Sequence, residues 1–257
     1  MKSQLNYKIS GAANAPVITL AHGLATDLSM WDAVVPQLES RYRVLRYDAR
    51  GHGQSPAPSD SYTLSELAQD VVDLLDDLSI EKTNFVGLSM GGMVGMGLGL
   101  HHAERIEKLV ICDARGDAPD AYRKSWSDRI ERVTADGVGV LAGPTVDRWF
   151  TEQFKRNDES VNRMRAMVSA TSADGYVGCA RALQDLDYAR HLPTMTVPTL
   201  FLVGSEDVGA PPGTMRQLHH ATPGSQFVEI ENAGHISAVE QPDLVAAAIL
   251  GFLGDKT

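Results

Sequence analysis

Asn84-Phe85-Val86-Gly87-Leu88-Ser89-Met90-Gly91-Gly92-Met93 sets one serine between two glycines at the end of an apolar run. Glycine and serine are ordinary turn residues, so the stretch reads either as a plain turn or as a corner that presents a hydroxyl. Its context favours the corner. The residues before Ser89 read as a buried strand, and the small apolar residues from Met90 to Leu100 read as a buried helix. Gly87-Leu88-Ser89-Met90-Gly91 is then G-x-S-x-G on a strand-to-helix turn. Such a turn pushes the serine toward unfavourable backbone angles and crowds the neighbouring backbones. Glycine on either side removes the Cβ atoms that would clash. The helix N-terminus behind the serine offers unpaired N–H donors and the positive end of a dipole, suited to a developing oxyanion.

Working outward, short apolar runs alternate with amphipathic segments. Strands are predicted at Pro16–Ala21, Arg43–Tyr47, Asn84–Leu88, Lys108–Cys112, Pro198–Val203 and Gln226–Ile230, with another near Leu5–Ile9. Runs apolar on both faces suit a covered parallel sheet. Thr63 and Glu66 form a capping-box pair before the helical stripe Leu64, Leu67, Val71, Leu74, Leu75 and Leu78. Asp243 to Leu253 predicts a closing helix. The pattern is α/β: a mostly parallel central sheet flanked by helices. The rhythm breaks between about Ala114 and Pro193. There the spacing predicts helices over 122–133, 138–150 and 160–169, with turns at Gly137, Gly143-Pro144 and Asp174-Gly175. The expected organisation is a core of residues 1–113 and 194–257, and a helical cap insertion of residues 114–193 over the carboxyl edge of the sheet.

The chain has 257 residues and a formal net charge of −10, which argues against a nucleic-acid partner. No apolar run approaches a membrane span, and Met1 to Lys8 lacks the apolar stretch of a secretory signal, so no membrane partner and a cytoplasmic location are expected. The two cysteines, Cys112 and Cys179, form no metal-ligand pattern. No metal and no cofactor are expected. Association into a homo-oligomer is left open.

A serine hydroxyl needs a base. In elbow-type architecture the chain order is Ser, then Asp or Glu, then His. Of eight histidines, His235 lies directly after the last predicted strand, at the sheet edge that carries Ser89. Among acids, Asp207 follows the strand ending at Val203. Glu206 beside it reads as a solvated neighbour, and Asp113, after the strand ending at Cys112, is the second candidate. The carboxylate fixes the imidazole tautomer and stabilises the imidazolium. The oxyanion-hole donors are expected to be the backbone N–H of Met90 and that of Leu24, in the loop His22-Gly23-Leu24; His22 itself reads as a structural side chain.

These residues resemble the α/β-hydrolase fold superfamily, at His22-Gly23, Asp48-Ala49-Arg50-Gly51-His52-Gly53-Gln54-Ser55, Gly87 to Gly92, Gly204-Ser205-Glu206-Asp207 and Ala233-Gly234-His235. The resemblance implies that the loop from Asp48 to Ser55 is mainly structural. Within the superfamily the chain looks most like the 3-oxoadipate enol-lactonases and their esterase relatives. The stretches that carry this are Ala25 to Asp32, Cys112 to Pro119, Asp147 to Phe150 and His235 to Pro242. The implied activity is cofactor-free serine hydrolysis of a small ester or lactone through an acyl-enzyme. A C–C hydrolase or perhydrolase on the same triad, or a ligand receptor with a hydrolase-like pocket, are the rivals. An enol-lactone of this kind carries a carboxylate, which a cap arginine would meet. Arg115, Arg129, Arg132 and Arg148 are the candidates, and Trp31, Trp126 and Trp149 are the expected pocket walls.

Overall fold

The structure, a computed structural model, describes residues 4–58 and 61–254. Met1 to Ser3 of the N-terminal reading, and the ends of the expected core, lie outside the described residues. The described strands are β1 (Tyr7–Ser10), β2 (Val17–Ala21), β3 (Arg43–Tyr47), β4 (Thr83–Leu88), β5 (Ile106–Cys112), β6 (Thr199–Gly204) and β7 (Gln226–Ile230). They form one sheet in the order β1-β3-β2-β4-β5-β6-β7. All neighbours pair parallel except β1, which runs antiparallel to β3. β4 sits at the centre with all six residues buried, as a strand covered on both faces must be.

Parallel neighbours need crossovers, and helices supply them. α1 (Val35–Leu38) and α2 (Leu64–Asp77) precede β4, and α3 (Met90–His101) follows it. α2 opens with the predicted capping box. Thr63 Oγ1 accepts from Glu66 N at 3.1 Å, and Glu66 Oε2 accepts from Thr63 N at 2.8 Å. Its apolar stripe, Leu67, Val71, Leu74 and Leu75, is buried. α3 is buried on nearly every side, and its glycines let it lie directly on the sheet. A Cβ on Gly91 would stand 2.4 Å from the Ala21 carbonyl oxygen.

Between β5 and β6 run α4 (Asp120–Asp136), α5 (Ala142–Trp149), α6 (Asp158–Ala170) and α7 (Ala173–Gln184). The segment from 138 to 150, read as one helix, divides into a 3-10 turn, Val138–Leu141, and α5. Gly143-Pro144 and Asp174-Gly175, read as turns, lie instead in the first turns of α5 and α7. Proline is tolerated there because its missing N–H has no helical partner to lose. Gly175 serves contact rather than turning: a Cβ on it would meet Gly51 O at 2.0 Å, so α7 rests on the backbone of the Asp48–Ser55 loop. Gly137 does turn the chain, with φ of 78° at the end of α4. α8 (Pro212–Ala221), α9 (Ser237–Glu240) and α10 (Pro242–Gly254) complete the chain.

Candidate active site

Three non-glycine residues with left-handed backbone follow neighbouring strands on one sheet edge: Ala25 after β2 (φ 60°), Ser89 after β4 (φ 54°) and Asp113 after β5 (φ 50°). A side chain rarely adopts this region without support from its surroundings. At Ser89 the support is visible. Its N–H donates to Cys112 O at 2.8 Å, and the backbone turns at once into α3. A Cβ on Gly87 would lie 2.1 Å from Gly91 O, so the corner closes only with glycine there. The residues that mark the elbow in sequence are thus the ones its geometry demands.

Ser89 Oγ lies 2.9 Å from His235 Nε2, across 146 residues of chain. On the far side of the ring, Nδ1 is 3.0 and 2.9 Å from the two oxygens of Asp207. Asp207 is buried and accepts from the amides of Gly209 (2.6 Å) and Ala210 (3.1 Å), which fix its plane. Glu206 beside it is exposed. Burial acts to lower the His235 pKa. The charge and hydrogen bond of Asp207, with the charge of Asp113, outweigh it and leave the ring above its ordinary value of 6.5.

Asp113 does not reach the imidazole. Its Oδ1 accepts from Gly204 N at 2.8 Å and its Oδ2 meets Ser237 Oγ at 2.5 Å, so it ties the end of β6 to the start of α9. Full burial, together with the charge of Asp207, pushes its carboxyl up to about 8.

The loop after β2 is held by two buried histidines. His22 Nε2 accepts from Ala49 N at 2.9 Å, and His52 Nε2 accepts from Ala25 N at 3.0 Å. Both rings are acceptors and must be neutral; burial lowers both, His52 to about 3. Asp48 accepts from Leu28 N, Gln54 N and Asn6 Nδ2, the structural part expected of its loop. Amides near Ser89 are mostly engaged: Gly91 N with His22 O, Thr26 N with Gly23 O. The amides of Leu24 and Met90 have no such partner among the described residues.

A cavity of about 260 Å³ opens over Ser89 and His235, walled by the sheet edge below and α4, α5 and α7 above. Trp126, Trp149 and the four arginines Arg115, Arg129, Arg132 and Arg148 line it. Arg129 stacks over the Trp126 ring at 4.5 Å, and Arg115 lies over Tyr122 at 5.1 Å. Arg115 has Asp117 at 3.7 Å. Among the described residues Arg129, Arg132 and Arg148 form no ion pair. Burial, and the like charge of Arg129, pull the Arg148 pKa below its ordinary value. Trp31 is a correction. It is the last residue of the 3-10 turn Leu28–Trp31, fully buried in the core, and it lines no part of this cavity. Tyr122 and Tyr176 line the cavity; the sequence marks Tyr122 only as the start of a helix and predicts no helix at Tyr176, which α7 supplies. Among the described residues no cluster of His, Cys, Asp and Glu could hold a metal ion, and no helix is long and apolar enough to cross a membrane.

Residues 16–242 match the family profile described as the alpha/beta hydrolase fold. The 3-oxoadipate enol-lactonase 1 of Acinetobacter baylyi is 37% identical over 252 residues, covering 97% of this chain and 92% of that one. The crystal structure of the enol-lactonase from Burkholderia xenovorans LB400 superposes with a TM-score of 0.93 at 37% identity, covering 98% and 96% of the two chains. A thermophilic esterase from Thermogutta terrifontis, solved with malate bound, gives 0.92 at 32% identity, covering 97% and 93%. The chain belongs to the α/β-hydrolase fold family, and within it resembles the enol-lactonases, as the sequence implied. It is a hydrolase.

Proposed function

We propose that the chain is a serine hydrolase that opens a small carboxylate-bearing ester or lactone through an acyl-enzyme. The observation that carries the reading is the unbroken contact from Ser89 Oγ through His235 to Asp207. His235 Nε2 takes the Ser89 proton as Oγ attacks the carbonyl carbon. The tetrahedral oxygen accepts from the free amides of Leu24 and Met90. His235 then returns the proton to the departing oxygen; in a lactone that oxygen stays tethered to the acyl group. A water molecule, deprotonated by His235, attacks the ester on Ser89; Ser89 Oγ leaves with that proton from His235, which frees the acid and restores the hydroxyl.

The substrate's charge is read from the cavity. The whole chain carries −10, yet four guanidinium groups line the cavity, three of them without an ion pair among the described residues, and the carboxyl that lines it, Asp113, is pushed up to about 8 by burial and the charge of Asp207. Uncompensated cations in a confined cavity call for an anion, and a guanidinium pairs with a carboxylate bidentately. We take Arg129 and Arg148, flanked by Trp126 and Trp149, as the carboxylate subsite. The relatives named as enol-lactonases point to the same class of substrate. The test is kcat and KM on matched carboxylated and neutral enol-lactones and p-nitrophenyl esters. Ser89→Ala is expected to lower kcat by about 10⁶ with the fold retained. Arg148→Ala should raise KM for the carboxylated members only. Near-normal turnover by the Ser89 variant, cleavage of carbon–carbon bonds instead of esters, or tight product retention after a single turnover would each overturn the assignment.

A further inference from the structure

A buried carboxylate helps fasten the segment after α5 to the loop that carries His235. Glu240, the last residue of α9, is 8% exposed. Its Oε1 accepts from Thr151 N at 2.9 Å and from the Thr151 hydroxyl in a short bond. Its Oε2 accepts from Gly234 N at 2.7 Å. Thr151 lies two residues beyond Trp149, at the end of α5, and Gly234 immediately precedes His235. The two backbones also touch directly. His235 N donates to Trp149 O at 2.7 Å, and a Cβ on Gly234 would stand 2.3 Å from that same oxygen. Glu240 forms no ion pair among the described residues, and burial pushes its pKa up against the pull of these donors. A buried carboxylate without a cation persists only where donors converge on it, and here three do.

From this we propose that Glu240 is a positioning residue. It locks α5, which presents Arg148 and Trp149 to the substrate, to the loop that presents His235, so that recognition and proton transfer share one rigid frame. The requirement is for a carboxylate rather than for bulk. A glutamine has one acceptor oxygen and an NH₂ group, so either the Gly234 amide or the Thr151 amide would face a donor. The inference rests on His235 being the base and on the arginines being the carboxylate subsite.

The test compares wild type, Glu240→Gln and Thr151→Val in three readouts. The first is the rate at which an uncharged fluorophosphonate labels Ser89, which follows the base. The second is the ratio of kcat/KM for a carboxylated lactone to that for p-nitrophenyl acetate, which follows the cap. The third is amide hydrogen exchange at residues 149–151 and 234–235. For Glu240→Gln we expect labelling about 10- to 100-fold slower, the scale of effect that small misplacements of a catalytic group produce. The ratio should fall too, and exchange should rise in both segments. Thr151→Val keeps both backbone bonds and should shift all three in the same direction by less; it decides the matter if Glu240→Gln does not fold. Folded variants with wild-type labelling, ratio and exchange would overturn the proposal. So would a loss of activity that tracks thermal stability while the ratio and local exchange stay unchanged. Failure of wild-type Ser89 to label at all would sink the base assignment first, and the inference with it.

Discussion

At the scale of single residues, two aspartates near one histidine do different work, and their partners say which. Asp207 lies against His235 Nδ1 on both oxygens, while Asp113 is spent on Gly204 and Ser237. Asp207→Asn should therefore lower kcat by about 10⁴ through the wrong tautomer. Asp113→Asn, whose amide can serve the same two partners with the proton fixed, should stay close to wild type in steady-state assays. The sign of the pH dependence follows as well. As the proposed base, His235 must be neutral to accept a proton, and its pKa is raised, so the acid limb of kcat/KM should lie above pH 6.5. In Asp207→Asn the raising charge is gone and burial remains, so the limb should move to lower pH. Asp113 contributes to stability with the opposite ordering from an ordinary carboxylate. Its folded pKa is about 8, against 3.8 for the free group, so its contribution is complete below the lower value and is lost as pH rises through the upper one. Urea midpoints at pH 6 and pH 9 should differ less in Asp113→Asn than in wild type; an equal or larger difference would show that Asp113 is ionised in the fold.

At the scale of elements, the β4–Ser89–α3 corner and the cap behave differently under sequence reading. The corner was legible because its constraints are local. A Cβ added to Gly87 or Gly91 would stand 2.1 or 2.4 Å from a backbone oxygen, so no other residue type fits either position. Gly87→Ala should accordingly cost at least about 1–3 kcal/mol by overpacking and cut turnover sharply, read by thermal melts and ester kinetics on the same preparation. A stable, active Gly87→Ala would mean that the corner is looser than drawn. The capping box at Thr63 was equally legible, and Thr63→Ala should cost about 1 kcal/mol of stability without changing kinetics. The cap was not legible in the same way. Gly143-Pro144 and Asp174-Gly175 have turn chemistry, yet one pair sits where a helix start tolerates proline and the other where Gly175 meets Gly51 across 124 residues of chain. Trp31 misled for the same reason: whether a tryptophan lines a cavity or fills a core is decided by distant packing. Glu240 was visible five residues after His235, but nothing near it in the chain announces Thr151 as its partner.

At the scale of the whole molecule, the sheet brings residues 89, 207 and 235 to one edge because β4, β6 and β7 run parallel and end on the same side. The four-helix segment between β5 and β6 closes the space above and supplies most of the cavity's charge. In the proposed reaction every participating group belongs to the chain or to water. Dialysis against EDTA should leave turnover unchanged; a loss restored by one metal ion would contradict that account. The most direct test of the central claim is peptide mass spectrometry after brief incubation with a fluorophosphonate ester. The account predicts a single adduct, on Ser89, formed far more slowly in a folded His235→Ala variant. An active enzyme that carries no adduct at Ser89, or one labelled there equally fast without His235, would contradict it.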